Sequence, residues 1–266
     1  MSPLDKLPEE IDSLLDSFMS HAIVGNTTVG LTTYTFWLAV ALILMLVVLF
    51  VFKKKQSARL VPQGFFVNGM EYLVEFTRDD MCKSILGDTW KKHFPFIAAL
   101  FFFICANSII GVIPGCHPGT GTIGVTAALA LCSFIYFIVV GCKRLGVIGY
   151  IKSLAPEGVA FPINILVWVI ELFSTFLRLI TLAVRLFCNM FAGHVVMGAF
   201  AILASLFFEP LLQGFSVVAL GQAGASVFWV AILIVIYLVE IMVGIIQAYV
   251  FTLLSAVYIQ LAENGD

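Results

Sequence analysis

Charged residues are scarce in this sequence. Only 11% of its 266 residues are Asp, Glu, Lys or Arg, against about 25% in soluble domains, and this scarcity excludes an ordinary water-soluble protein. Hydrophobic residues make up 61% of the chain and include 25 phenylalanines. Apolar windows of about 20 residues, the length that crosses a bilayer, occur near 33–52, 94–113 and 122–141 and through both halves of 162–262. The sequence predicts an all-α polytopic membrane protein with about five membrane-crossing helices.

Proline is absent between residues 163 and 208. A single helix of about 46 residues would be roughly 69 Å long, far more than the thickness of a bilayer. Either a turn near Gly193 or Gly198 makes two short spans, or one helix crosses at a tilt of around 60°. Residues 215–261 pose the same choice. Because turn-forming residues are few at both midpoints, we expect two long, steeply tilted helices in a hairpin, with the outer turn near Glu209 and Pro210.

We expect residues 1–266 to form a single membrane domain. The first twenty residues hold five acids and one lysine, with apolar residues at helical spacing, which indicates an amphipathic helix and not a targeting peptide. The expected parts are an external amphipathic N-terminus at 1–30, a first span at 33–52, an inner-surface amphipathic helix at 62–92, a two-span hairpin at 94–141 and the long tilted hairpin at 162–262, which carries the ion pathway.

Basic residues are missing from two of the loops. Residues 114–122 and 207–214 contain no Lys or Arg, whereas eleven of the fourteen basic residues lie in three clusters, at 53–59, 78–92 and 143–152. Since basic loops stay on the cytoplasmic side, the clusters are expected inside. The acidic N-terminus is therefore outside and the C-terminus inside.

Sequence signatures of catalysis are also missing. The six cysteines form no CxxC pair, and the adjacent Cys116 and His117 do not make a tetrahedral metal site. There is no nucleotide-binding loop and no paired nucleophile and base. We therefore expect no catalytic site, no metal, no cofactor and no nucleic-acid partner. An inverted repeat of the kind that marks many secondary transporters is absent as well.

The few polar residues inside the apolar helices form a pattern. Six of them recur every three or four residues and so share one helical face: Glu171, Ser174, Arg178, Thr181, Arg185 and Asn189. An arginine at bilayer depth costs about 3 kcal/mol on insertion scales. Arg178 could snorkel to the inner surface or pair with Glu171. Arg185 has no carboxylate within one turn, so its counter-ion is expected from elsewhere, such as from another subunit.

The final apolar stretch carries Glu240 and Gln247, seven residues apart on one face, with Gly244 between them. The glycine would let another backbone approach. His194 lies nine residues after Arg185, about 180° round the helix, and is expected to line a separate cavity. Titratable and polar groups on adjacent membrane helices favour a polar pathway over isolated structural residues.

From about residue 90 onward the chain resembles subunit a of the F-type ATP synthases. The most specific stretches are "LAVRLFCNMFAGH" and "IIQAYVFTLLSAVYI", with weaker support from "FPINILVWVIELFS" and "IIGVIPG". The resemblance implies that Arg185 is the essential arginine, Asn189 its nearby asparagine and Gln247 the glutamine that faces it. It also implies that His194 and Glu240 form the pair in the outer half-channel. In one departure, "NSIIGVIPG" has no acidic residue before its proline, whereas some family members have one there.

The resemblance implies a proton-conducting stator subunit. Two offset half-channels would end on either side of Arg185, and a rotating ring of c subunits would carry protons between them. Arginine does not titrate in proteins, so Arg185 would hold a passing ring carboxylate ionised and block a direct leak. Glu171 and Ser174 suit the exit side, with Arg178 in a secondary role.

The implied partners are the c-ring, peripheral stalk subunit b, the lipid bilayer and protons. The expected location is an energy-transducing membrane, the bacterial inner membrane first and the mitochondrial inner membrane second. The alternative function is a secondary transporter or channel for a small anion, which would bind Arg178 and Arg185.

Overall fold

The computed structural model describes residues 7–17, 22–24, 31–56, 64–113, 115–116, 118–147, 149–150, 163–213 and 217–264. The remainder of the predicted N-terminal segment, His117, and the basic residues Arg59 and Lys152 lie outside these described residues. The described elements are α1 (Leu7–Ser17), strands β1 (Ala22–Val24) and β2 (Leu31–Thr32), α2 (Thr33–Gln56), α3 (Phe65–Phe76), α4 (Ser84–Leu86), α5 (Trp90–Val112), α6 (Ile123–Leu145), α7 (Ile163–Gln213) and α8 (Val217–Asn264).

Five helical stretches of the described chain are long and apolar enough to cross a membrane, which confirms the predicted fold class. They are Thr33–Lys55, Phe65–Val112, Ile123–Leu145, Ile165–Pro210 and Gly224–Glu263. Many of their large apolar side chains are exposed, such as Phe50 at 68% and Leu238 at 63%. Outward-facing apolar surface of this kind suits contact with lipid or with other membrane subunits.

The amphipathic segment before the second span is not one regular helix. After α3 the chain forms a π-helical turn at Thr77–Lys83, then α4 and a 3₁₀ turn at Gly87–Thr89, and continues directly into α5. Gly87 has φ 54°, which places a bend there. Met81 and Cys82 are fully buried against the bundle, while Phe65 is 98% exposed. The segment therefore packs its second half under the membrane helices.

Helices α7 and α8 form an antiparallel hairpin. Contacts from one end to the other pair Arg178 with Tyr258, Gly193 with Glu240, and Phe207 with Trp229. Both helices run without a break through the midpoints where a turn was the alternative. Helix α7 continues through Glu209 and Pro210 to Gln213, about one helical turn past the residues near which the outer turn was expected.

The core is apolar and continuous across four helices. Its central cluster joins α5, α6, α7 and α8 through side chains that include Phe101, Ala130, Leu186 and Phe251. A second cluster, which includes Ile97, Phe137 and Ile259, fills the end of the bundle that carries the basic loops. Helix α1 reaches the opposite part of α7, where Leu14 covers Gly198.

Candidate functional site

Polar side chains meet where α5, α7 and α8 approach one another. A β-carbon placed on Gly193 would overlap the carboxyl group of Glu240, so that carboxyl lies directly against the α7 backbone. A β-carbon on Gly244 would lie 2.9 Å from Ser108 Cβ on α5. A β-carbon on Gly111, also on α5, would lie 3.1 Å from His194 Nε2. Three glycines thus allow the close approach that brings these polar groups together.

Several polar atoms of this region are buried without a hydrogen bond. Within the described part of the chain, the buried side-chain atoms that have no hydrogen-bond partner are Asn107 Oδ1, Thr120 Oγ1, Asn189 Nδ2, Glu240 Oε1 and Gln247 Nε2. A buried polar atom left unpaired costs about 1–3 kcal/mol, and native proteins rarely leave one so. Because they belong to the intramembrane polar group and its outer end, these atoms favour a hydrated region between the helices.

The structure brings four of the eight predicted site residues into this region: Asn189, His194, Glu240 and Gln247. Glu240 and Gln247 are buried, at 9% and 7% exposure, and His194 is half-buried beside α5. By the register of the hairpin, Gln247 lies about level with Asn189 and Arg185. The grouping therefore joins the polar face of α8 to the middle of α7.

Arg185 is positioned differently from its neighbours. Its side chain is exposed on the outer surface of α7, whereas His194 points toward α5. The described residues offer Arg185 no ion pair and no hydrogen bond. This geometry agrees with the expectation that the two residues use opposite faces of the helix, and it leaves the guanidinium free to meet a partner beyond this chain.

Arg178 is paired within the chain. Its Nη2 donates a hydrogen bond to Glu171 Oε1 at 2.8 Å, which is one of the two arrangements that the sequence left open for Arg178. Its guanidinium also lies 5.2 Å from the centre of the Tyr258 ring, within the range of a cation–π contact. Of the two arginines on the polar face of α7, only Arg185 is therefore without such partners in the described chain.

Ser174 lies in a groove whose walls do not include Glu171. The groove, of about 860 Å³, lies between α6 and α7, and its other walls are almost entirely apolar and include Phe134, Ile138 and Phe173. Among the described residues, no cluster of three or more His, Cys, Asp or Glu side chains could hold a metal ion.

Three polar residues of this region were not singled out from the sequence. Asn107 and Ser108 lie in α5, and Thr120 follows in the 3₁₀ turn at Gly119–Gly121. The side chains of Asn107 and Ser108 donate to backbone carbonyls of Phe103 and Ile104, at 2.9 Å each. Two consecutive polar residues inside an apolar span were a usable signal, since intramembrane polar residues usually mark functional positions.

Comparison with known proteins identifies the family. The family model described as ATP synthase A chain matches residues 33–260. The chain belongs to this family. Residues 33–260 contain all the polar positions from Asn107 to Gln247, so the family match covers the whole candidate site and the helices that build it.

Relatives named ATP synthase subunit a occur in several bacteria. One from Chlorobium phaeobacteroides is 34% identical over 92% of this chain and 68% of its own length. Another from Myxococcus xanthus is 35% identical over 94% of this chain and 76% of its own. A third from Prosthecochloris aestuarii, named ATP synthase subunit a 2, is 34% identical over 93% and 73%. As a member of the ATP synthase A chain family, the chain is a multi-pass membrane component of such a complex.

Proposed function

We propose that this chain is the proton-conducting stator subunit of an F-type ATP synthase. It would provide two offset half-channels and present Arg185 to a rotating ring, so that proton flow drives rotation and ATP synthesis in other subunits. The observation that carries the proposal is the contrast between Arg185, exposed and unpaired in the described chain, and the buried polar group behind it. The family relationship supports it.

The buried polar group is proposed as the outer half-channel. His194 and Glu240 would carry the proton, since both can titrate and both lie where α5, α7 and α8 meet. Asn107 and Thr120 would line the outer part of the path. Their unpaired buried oxygens support this role, because oxygens that lack a protein donor can accept hydrogen bonds from water.

Arg185 is proposed as the electrostatic separator. A guanidinium stays charged and cannot relay a proton, but it attracts a carboxylate from a partner subunit. Asn189 and Gln247, about level with it, would hydrogen-bond the same carboxylate or the water around it. Each proton that crosses contributes about 2.3 kcal/mol per 100 mV of membrane potential. The proton gradient would set the direction of ring movement, and Arg185 would prevent protons from bypassing the ring.

The exit side is proposed at Glu171 and Ser174, toward the inner surface. The c-ring and peripheral stalk subunit b are the proposed partners, and the chain itself would hold no catalytic site. The bacterial inner membrane is the proposed location, since the relatives described above are bacterial. The anion-transporter alternative is not favoured, because Glu171 and Tyr258 already engage Arg178 and the family relationship points elsewhere.

The test of the proposed function is Arg185→Ala in the complete complex. ATP synthesis by membrane vesicles should be lost, because ring carboxylates would no longer be held ionised at the interface. Arg185→Lys should also lose all or nearly all ATP synthesis, since the lysine side chain reaches less far and its ammonium group is more strongly hydrated than a guanidinium. Normal ATP synthesis by the Ala variant would rule out the proposed function.

A second test concerns the outer half-channel. His194→Ala and Glu240→Ala should each slow proton-driven ATP synthesis, and the exchanged pair His194→Glu with Glu240→His should recover part of it. An anion transporter would instead bind its substrate less tightly after Arg185→Ala. If neither single change at His194 or Glu240 alters proton flux, these residues are structural.

A further inference from the structure

Arg178 lies midway between Glu171 and Arg185 on the polar face of α7. Seven residues separate it from each, which is about 10.5 Å along a helix. Its guanidinium donates to Glu171 Oε1 at 2.8 Å and lies 5.2 Å from the Tyr258 ring centre. The two charged side chains are partly covered, at 26% exposure for Arg178 and 39% for Glu171. An acid in this position is thus held by a neighbouring cation on its own helix.

We propose that Arg178 is a positioning residue for proton release. It fixes the carboxylate of Glu171 so that this group accepts the proton that a ring carboxyl gives up before it reaches Arg185. The inference rests on the proposed function and deepens it, because it assigns a role to an arginine that the mechanism otherwise leaves unused.

The geometry leaves an acceptor on Glu171. Arg178 engages Oε1, and within the described residues Oε2 makes no hydrogen bond. In the proposed step the O–H bond of the ring carboxyl breaks, and its proton passes to Oε2 directly or through one water. Glu171 then gives that proton to water on the inner side and is again a carboxylate. The ring group, now an anion, is left to pair with Arg185.

Tyr258 fixes the direction of Arg178. The tyrosine ring lies 5.9 Å from the ring of Phe137, which is only 3% exposed and belongs to the inner core cluster. A free arginine side chain has about 2 kcal/mol of rotamer entropy to lose when it is ordered. The Tyr258 ring, held by the core, and the Glu171 carboxylate lie on either side of Arg178 and restrict its rotamers. The restricted guanidinium in turn holds the Glu171 carboxylate in place.

A simpler reading is that Glu171 only neutralises Arg178 inside the membrane. The two readings differ for the double variant Glu171→Gln with Arg178→Gln. If neutralisation is the role, removing both charges together should restore proton conduction that either single change impairs. If Arg178 positions Glu171, the double variant lacks the acceptor and should remain slow.

The experiment measures passive proton uptake by membrane vesicles that contain the complete membrane sector, stripped of the catalytic sector, under an imposed potential. Arg178→Gln should conduct about tenfold more slowly, as expected when a proton-transfer group is misplaced, and its solvent isotope effect in D₂O should rise. Arg178→Lys should recover part of the rate. Tyr258→Leu should lose part of it, and Tyr258→Phe, which keeps the ring, should lose less than Tyr258→Leu.

A matched control is Arg78→Gln. Arg78 also pairs with an acid on its own helical segment, Asp79 at 2.8 Å, and its side chain is 34% exposed. It lies outside the polar face of α7, so its loss should leave conduction and the isotope effect unchanged. If the Arg178→Gln complex does not assemble, the comparison of Tyr258→Leu with Tyr258→Phe decides in its place.

Normal conduction by Arg178→Gln, or by the double variant, would overturn the inference, and so would equal conduction by the two Tyr258 variants if Arg178→Gln does not assemble. The proposed function is judged separately by Arg185→Ala in the same membranes. If ATP synthesis is lost in Arg185→Ala while Arg178→Gln conducts normally, only the role of Arg178 is wrong. If ATP synthesis survives in Arg185→Ala, the proposed function fails.

Discussion

Gly193→Ala is the sharpest test of the outer half-channel, because it adds one methyl group at the place where Glu240 touches α7. The new β-carbon would overlap the Glu240 carboxyl group. Alanine stabilises a helix interior by about 0.5–1 kcal/mol relative to glycine, while overpacking costs about 1–3 kcal/mol. The net change in stability is therefore small enough for the complex to assemble.

The effect on proton conduction should be larger. To regain van der Waals distance, the carboxyl group must move by about 1 Å or more, and a misplacement of that size can slow a reaction about 100-fold. We expect passive proton uptake by stripped membrane vesicles to fall about 10- to 100-fold. ATP synthesis by intact vesicles should fall with it, while the amount of assembled complex stays near that of the unaltered protein.

The control is Gly224→Ala, which makes the same exchange in α8. A β-carbon at Gly224 has nothing within 4 Å, so conduction should not change. Combining Gly193→Ala with Glu240→Asp shortens the acid by one methylene and should restore part of the rate. Unchanged conduction by Gly193→Ala would refute the reasoning, since the position of the carboxyl would then not limit the flux.

Three further predictions concern the scaffold. Gly244→Val should lower the free energy of unfolding of the purified protein by about 1–3 kcal/mol, since its β-carbon would press on Ser108. An unchanged melting temperature would contradict the close packing. His93→Ala should cost about 2–4 kcal/mol in the same assay, because His93 is fully buried and hydrogen-bonded to Glu263 at 3.0 Å; a loss below about 0.5 kcal/mol would show that this contact is dispensable. In a protein from which the native cysteines have been removed, a cysteine that replaces Gly198 should be labelled slowly by a water-soluble thiol reagent. Rapid labelling, as in a loop exposed to bulk water, would instead indicate a turn in the middle of α7.

Helical periodicity was sufficient to group residues on a single helix. Glu171 and Arg178, seven residues apart, form the ion pair that their spacing allowed. Arg185 and His194 lie on different faces, as nine residues require. These relations depend only on the rise and turn of one helix, so they can be read from the sequence once the helix is known to be continuous.

Contacts between helices could not be read in this way. Gly111 of α5 meets His194, and Asn107 lies with the polar group of α7 and α8. These contacts depend on the packing angles and on which helices are neighbours. The π-helical turn at Thr77–Lys83 was also not predicted, because an inserted residue leaves no compositional mark. The helix end at Gln213 was missed because α7 continues through Pro210, near which the turn was expected.

The apolar packing of α5 between Ser108 and His93 also has an electrical consequence. Ile97, Phe101 and Ile104 are almost fully buried in this stretch, which is about 22 Å long. A dry layer resists ion movement far more than a hydrated cavity. If the polar region between α5, α7 and α8 is hydrated, the electrical potential at the level of Ser108 would be close to that of the outer solution. The whole membrane voltage would then fall across less than the roughly 30 Å of hydrocarbon. The same voltage would produce a steeper local field, concentrated at the depth where the arginines of α7 lie.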